Sequence, residues 1–570
     1  MSAKGSAAKE QMNFNFGSEE TAVEQQQDVA QKPKTKRRGR KSKQSVAATA
    51  ESMATKQRDI SISEFFAKNR HLLGFDNPRK ALLTAVKEAV DNALDACEEG
   101  HILPSIRVTI EQVENYDNRF VLKVTDNGPG IVKKQVPNIF ARLLYGSKFH
   151  RLKMSRGQQG IGISAAGMYG LITTGEPVQV VSRTNKNKPA YHCHVQIDTS
   201  KNRPDIVYDE ECDFELPTGT AVSITMEGRY LRGKQSVDEY IEQTAMANPH
   251  VSFVYNAPDG NTYEFPRKTD ELPFMPVEIK PHPYGVELGM LYKMARDTKG
   301  KSLPEFLNKD FSRVSKPLSR KICKNAKLLS VKPSKITLQQ AEKLHKEIGQ
   351  TKIMAPPTDC IGPIGEENLI EGLERVVDAD FYASCTRKPA VYRGNPFIIE
   401  AALAYGFKGE TDDSDDDDKQ PIMQLKRIAN RVPLLYQQSA GAVFKSVVET
   451  NWRNYGLSQS KGALPRGPLV LMVHIASVWV PFTSESKEAI AHYPEIIKEI
   501  KLAVQECGRK LGTHIRKQRR IKQELKKQSY IKTYLPPIGE ALQEILSLKD
   551  SEVEDLVGKL ADVLEKSRKF

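Results

Sequence analysis

A chain of 570 residues, 39% hydrophobic and 27% charged, is large enough for about three cores at roughly 100–200 residues per domain. It holds no apolar run near the ~20 residues that a membrane span needs, and its opening MSAKGSAAKE has no hydrophobic signal core, so a cytoplasmic protein with no membrane partner is expected. The net charge of +14 suits a polyanionic partner, usually nucleic acid, and the seven scattered cysteines, never in C-x-x-C spacing, argue against a zinc ribbon or a disulfide framework.

Residues 1 to about 55 are rich in Gln, Ser, Ala and Lys without a periodic apolar pattern and are expected to be disordered. Within them Lys32–Lys43, KPKTKRRGRKSK, reads as a solvated charge run or as a flexible arm touching DNA phosphates without sequence preference. From Arg79 to Glu99 the pattern predicts a long helix. Thr84, Glu88, Asp91, Asn92, Asp95 and Glu99 fall in one stripe about 100° wide, with Leu82, Leu83, Val86, Ala89, Val90, Ala93 and Leu94 opposite. A solvated face would account for such a stripe, but solvated faces normally mix in Lys and Arg for i,i+4 pairing. Carboxylates with one amide suit a Mg²⁺ site beside a general base that orients water.

Strands follow at Ile106–Ile110 and Phe120–Val124, the second running into VLKVTDNGPG, where a D-x-G-x-G turn begins at Asp126. Gly128 and Gly130 there allow a sharp turn and close approach to a ligand, although Asp-Asn-Gly is equally ordinary turn chemistry. The stretch SRGQQGIGISAAG, Ser155 to Gly167, places Gly157, Gly160 and Gly162 before a small-residue helix start. Backbone N–H groups in such a loop form an anion site, but it is not a Walker A loop. Strand-like segments recur at Val178–Ser182, His192–Ile197 and Ala221–Met226, the last opened by Gly219-Thr220. The layer is therefore α+β, with helices on one face of a mostly antiparallel sheet. His192, Cys193 and His194 look like metal ligands, but alternate residues of a strand face opposite ways and no second ligand pair lies near.

Residues 280–355 are mostly helical and basic, with Lys316, Arg320, Lys321, Lys324 and Lys327 in one run. From 356 to 500 strands and helices alternate, Leu469–Val480 reads as a buried strand, and an acidic tract from Glu410 to Asp418 reads as a disordered loop. A helical pattern from about Tyr493 to Gln528 carries on basic and Pro-free, Pro536-Pro537 is expected to break it, and a short amphipathic helix closes the chain.

Four features in this order, Glu-x-x-x-Asn on a helix, D-x-G-x-G, G-x-x-G-x-G and Gly-Thr before a strand, resemble the GHKL ATPase family of gyrase B, Hsp90, MutL and histidine kinases. Within it, LLYGSKFH, RGQQGIGISAAGMYG and PFTSESKEAIA resemble the ATP-binding B subunits of type IIB DNA topoisomerases over about residues 60 to 540. The resemblance implies a Bergerat ATPase sandwich at 56–278 and a helix-two-turns-helix domain at 279–355. It implies an α/β transducer at 356–500 and a long stalk helix with a partner-docking segment at 501–570, after a basic tail at 1–55.

It also implies site roles. Glu88 is the general base, Asn92 holds Mg²⁺ against the phosphates of ATP, and Asp126 accepts the adenine amino hydrogen, helped through water by Thr220. Ser147 and Lys148 lie in a lid, the backbone of Arg156, Gly157, Gln158, Gln159, Gly160, Ile161, Gly162 and Ile163 wraps the triphosphate, and Lys487 reaches the γ-phosphate. Asp95 is given no role beyond structure. The implied partners are a DNA-cutting A subunit in an A₂B₂ heterotetramer, double-stranded DNA, met without sequence preference by the basic residues of 280–355 and of Arg509–Lys527, and a second copy of this chain, forming a B–B homodimer on ATP binding with the segment Ile62–Phe75 exchanged. Tyr534, Leu535, Ile538, Leu542 and Ile545 are the expected docking residues for the A subunit. Other readings of the four motifs are a MutL-like or chaperone ATPase and a non-catalytic scaffold.

Overall fold

The computed structural model describes residues 50–54, 64, 66, 68–146, 151–157, 160–198, 201–407, 420–484, 487–547 and 549–566. The lid residues Ser147 and Lys148, the loop residues Gln158 and Gln159, the Lys32–Lys43 arm and the Glu410–Asp418 tract lie outside them. A short helix, Ala50–Ala54, belongs to a separate N-terminal unit, and everything from Ile60 onward forms a second compact unit.

In that unit, eight strands build the first sheet: β1 (Ser105–Gln112), β2 (Arg119–Asp126), β3 (Val178–Arg183), β4 (Ala190–Asp198), β5 (Arg203–Cys212), β6 (Gly219–Glu227), β7 (Ser252–Asn256) and β8 (Thr262–Phe265). They run in the order β5-β4-β3-β6-β2-β1-β7-β8, antiparallel except for the parallel β1–β7 pair. Alternation along β2 and β3 sends Phe120, Leu122, Val124, Val178 and Val180 to one face, where the Pro78–Glu99 and Gly162–Thr174 helices cover them. The first of these helices starts where predicted. Pro78 takes the first helical position, where its missing N–H costs nothing, and the Asn77 side chain accepts the Lys80 backbone N–H. Strand β5 was not legible in the sequence, because it is exposed on both faces and so has no alternating pattern.

The basic stretch folds as four helices, Leu288–Asp297, Leu303–Asp310, Lys316–Asn325 and Leu338–Gln350, around Leu291, Leu303, Phe306, Leu307, Ile322 and Leu344. Lys316, Arg320, Lys321, Lys324 and Lys327 all face out.

The second sheet has six strands: β9 (Ala379–Thr386), β10 (Ala390–Tyr392), β11 (Asn395–Phe407), β12 (Gln424–Ala429), β13 (Val432–Pro433) and β14 (Leu469–Ser477). Their order is β10-β11-β14-β12-β13, with β9 also paired to β11. β14 is buried throughout, as a strand must be when both faces of its sheet are covered. One face packs Ala401, Leu403, Leu471 and Val473 against Ile496, Ile500, Val504 and Leu511 of the Pro494–Leu546 helix. The other packs Ala402, Ala404, Val470 and Met472 with Leu369 and Leu373 of the Glu366–Glu374 helix and with Met246 and Ala247.

The expected break at Pro536-Pro537 does not occur: the Pro494–Leu546 helix continues through both prolines. Proline locks φ near the helical value, but inside a helix it removes a hydrogen bond and crowds the carbonyl four residues back, a cost of about 3 kcal/mol that packing must offset. The closing helix, Asp550–Lys566, packs back over this segment, burying Leu535 and bringing Val557 so close to Gly539 that a Cβ there would lie 2.5 Å from it. That packing holds the helix where sequence propensity alone would end it. Among the described residues, no helix is long and apolar enough to cross a membrane.

Candidate functional site

A cleft of about 590 Å³ opens between the Pro78–Glu99 helix, the glycine-rich loop and the ends of β2 and β6. Glu88, Asn92, Asp126, Gly130, Gly157, Gly160, Gly162, Ile163, Thr220 and Lys487 all line it. Its size is that of an ordinary small-molecule site.

The acidic stripe of the long helix divides in two. Glu88, Asn92 and Glu99 face the cleft, whereas Asp91 and Asp95 turn into the protein. Asp91 accepts the Tyr240 hydroxyl at 3.0 Å, and burial pushes its pKa up to about 7. The stripe is therefore no four-carboxylate metal cage; Glu88 and Asn92, one helical turn apart, are left to serve the cleft beside the glycine loop. Among the described residues no group of three His, Cys, Asp or Glu is arranged to hold a metal. His192 and His194 do meet, ring nitrogen to ring nitrogen at 3.1 Å, on one face of β4.

The glycine loop closes on these two residues. A Cβ on Gly162 would lie 1.8 Å from Glu88 Oε2, so any larger residue would expel the carboxylate. A Cβ on Gly157 would lie 3.7 Å from Asn92 Oδ1. Gly162 also opens the Gly162–Thr174 helix, which carries no acidic residue in its first turn, so its free N–H groups favour an anion.

At the other end of the cleft, Asp126 ends β2 directly opposite Thr220 on β6. Its Oδ1 accepts the Gly128 N–H at 2.8 Å, and burial raises its pKa to about 6 against the two backbone donors, Gly128 and Thr220, that lower it. Gly130, at φ +73°, passes so close to the Arg183 carbonyl that a Cβ would lie 2.2 Å away. The Thr220 hydroxyl lies 3.1 Å from that of Ser182.

The Arg156 side chain does not point at the cleft. It is buried against Asp95 (3.0 Å), Glu98 (2.7 Å to each oxygen) and Asn248 (2.6 Å). Burial alone would raise the Glu98 pKa, but Arg156 and His250 hold it well below the usual carboxylate range. Only the Arg156 backbone is left for the loop. This cluster continues into the second sheet. Asn248 donates to the Arg431 carbonyl, the Arg431 N–H donates to His474 Nε2 at 3.0 Å, and His474 Nδ1 meets Glu400 at 2.8 Å. Asn430 donates to the Ser155 carbonyl at 3.1 Å, gripping the root of the glycine loop from the neighbouring layer. Of this network only Asp95 and Arg156 stood out in the sequence, and each contact spans tens to hundreds of residues with no local spacing to reveal it.

Lys487 enters the cleft from the loop after β14, on the same side as Glu88. Burial lowers its pKa, and Glu88 opposes that shift. It is one of few non-glycine residues with a left-handed backbone, at φ +53°.

Comparison with known proteins bears on both layers. Residues 77–204 match the family described as histidine kinase-, DNA gyrase B-, and HSP90-like ATPase. Residues 356–527 match the topoisomerase VI B subunit transducer. The type 2 DNA topoisomerase 6 B subunit of Methanococcoides burtonii is 48% identical over 516 residues, covering 90% of this chain and 81% of the relative. That of Archaeoglobus fulgidus is 44% identical over 518 residues, 90% of this chain and 84% of the relative. The Pyrococcus horikoshii protein is 35% identical over 553 residues, 88% of this chain and 94% of the relative. With an ATPase layer that binds nucleotide and a transducer layer in one chain, the protein belongs to the family of type 2 DNA topoisomerase 6 B subunits.

Proposed function

We propose that this chain hydrolyses ATP in the Glu88 cleft and uses the nucleotide to close a B–B gate around DNA cut by an A subunit, in an A₂B₂ assembly. Glu88 acts as the general base, taking a proton from the attacking water at its carboxylate oxygen. Asp126 and Thr220 take the adenine end, and the backbone of residues 156–163 cradles the triphosphate. Ser147 and Lys148 complete the lid. Lys487 brings a point charge to the γ-phosphate, stabilising the charge that builds up as the phosphoryl group leaves. Once that phosphate is gone, so is the partner that ties the two layers together.

The residues fit magnesium. Asn92 is an exposed amide beside a loop of backbone donors, and Mg²⁺ takes few protein oxygens plus substrate phosphates. Asn92 would hold the ion, which supplies charge neutralisation at the phosphates when bound. Residues 56–278 are the proposed ATPase domain, 279–355 the helix-two-turns-helix domain, 356–500 the transducer and 501–570 the stalk and docking segment. The outward-facing Lys316–Lys327 cluster supports salt-dependent contact with duplex phosphates. Exposed Tyr534, Ile538 and Ile545 and half-buried Leu542 support docking of the A subunit there, whereas Leu535 is buried and is not open to a partner. Work at the nucleoid follows from this reading.

The observation that carries the proposal is the contact of Glu88 with Gly162 in a cleft that Lys487 also enters. The test is the Glu88→Ala chain. Turnover is expected to fall by about 10²–10⁴-fold while ATP binding persists, and with ATP bound this variant is expected to sediment as a dimer. Unchanged turnover would remove Glu88 from the mechanism, and an ATP-saturated monomer would count against the gate.

A further inference from the structure

Next to Lys487 stands a residue with no assigned task. Glu488 Oε1 lies 2.7 Å from Lys80 Nζ, on the first turn of the helix that carries Glu88, with the two side chains only 9% and 14% exposed. At this distance charge attraction and hydrogen bonding act together, and both favour the charged form of Lys80. The other oxygen, Oε2, accepts Gln437 Nε2 at 2.6 Å. Gln437 belongs to a loop that is itself fixed from the transducer: Arg427 on β12 donates to the carbonyls of Leu434, Tyr436 and Gln437 at 2.7–2.9 Å. Lys80 also lies over the Tyr436 ring, 5.2 Å from its centre. Glu488 is thus held by the transducer on one side and reaches to the nucleotide helix on the other.

Consecutive residues of one loop therefore meet the same helix at two points, Glu488 at Lys80 and Lys487 near Glu88, eight positions further on. A left-handed backbone at a lysine costs energy and persists only where its surroundings fix it. The contacts of Glu488, the Lys487 N–H to Ser484 carbonyl bond (3.1 Å) and the Thr483–Ala489 bond (2.9 Å) are those surroundings.

We propose that the Lys80–Glu488 pair is a latch that positions Lys487 in the cleft, so that ATP turnover depends on two residues that touch neither the nucleotide nor the attacking water. The latch rests on the proposed role of Lys487 at the γ-phosphate. Lys80 and Glu488 are positioning residues. They act on the step that needs Lys487 and not on capture of the nucleotide, whose adenine end Asp126 and Thr220 take at the other end of the cleft. Their loss is therefore felt in kcat and not in KM.

The test is steady-state ATPase activity of the full chain as a double-mutant cycle: wild type, Lys80→Met, Glu488→Gln and the double variant, beside Lys487→Ala. Gln at 488 keeps the volume of Glu and an acceptor for Gln437, and Lys80→Met reads the same pair from the other side. A thermal midpoint for each variant separates lost fold from lost position. Each single change is expected to lower kcat on the order of tenfold, within ordinary coupling between sites, with KM for ATP nearly unchanged, and the double variant is expected to be no slower than the slower single. An unchanged kcat in Glu488→Gln while Lys487→Ala is inactive would overturn the latch alone. Losses that multiply in the double variant would do the same, by showing that the two residues act independently. Full activity in Lys487→Ala would remove the reading on which the latch rests, and the latch with it.

Discussion

The two ends of the Pro78–Glu99 helix meet the transducer in different ways. At its C-terminal end Asp95 and Glu98 grip Arg156 and His250 in a buried network that runs on through Asn248, Arg431 and His474 to Glu400. At its N-terminal end the charged contact is a single ion pair, Lys80 with Glu488, beside a lysine over a tyrosine ring. Breaking a buried charge pair strands the partner in low dielectric and is expensive, and the C-terminal end ties several charged and polar groups in this way where the N-terminal end ties one pair. The first arrangement has many ties to break and the second has few. On the proposed function, the Arg156 end would be the pivot and the Lys487 end the part that travels.

The largest effect should come from the buried joint. Glu98→Ala leaves Arg156 without its bidentate partner and His250 without its acceptor, and should destabilise the chain by about 3–5 kcal/mol, read by chemical denaturation. A loss no greater than that of the Lys80→Met change would erase the distinction between the two ends. Next comes the hairpin turn that grips the loop root. Asn430, at φ +48°, bonds Ser155 and both backbone groups of Ser477, so Asn430→Ala should cost about 1–3 kcal/mol for the donors and acceptors left unpaired. It should also loosen ATP binding, read as a raised Kd; an unaltered Kd would detach this turn from the phosphate loop.

A third test lies midway along the helix. The folded-state pKa of Asp91, about 7, stands above its ordinary value of 3.8. A carboxyl raised in this way gives its full stabilisation below about pH 4 and loses it as pH rises to about 7. Asp91→Asn keeps an acceptor for Tyr240 and cannot ionise. Its thermal midpoint should gain on wild type between about pH 5 and pH 7.5 and hold a steady lead above that. A difference independent of pH would show that Asp91 does not titrate there.

What the sequence made legible was local. Glu88 and Asn92 are one helical turn apart, Asp126 and the glycines of D-x-G-x-G are neighbours, and the loop glycines stand within six positions, so each motif was readable by itself; only their order, resembling the GHKL ATPases, joined them in one pocket, and the cleft brings them together. The continuous apolar run of β14 announced a strand covered on both sides. Contacts between distant residues carried no such sign. Glu98 looked like one more carboxylate on an acidic helix, and Arg431 and His474 like ordinary residues of a strand-rich region. The stripe also misled in part, because helical periodicity does not say which of two neighbouring faces meets solvent, and Asp91 and Asp95 lie on the inner one. At Pro536-Pro537 residue propensity gave a break, and packing of a second helix outweighed it.

The Pro494–Leu546 helix is held in the transducer core as far as Ile515. The thirty or so residues beyond it extend roughly 45 Å at about 1.5 Å per residue. Its root lies against the sheet whose next loop carries Lys487, so a tilt of about 10° there, of the order seen in domain rotations, would sweep the far tip through about 8 Å. On the proposed function, mechanical gain of that kind would turn the loss of a single phosphate at the cleft into a displacement on the scale of a DNA groove.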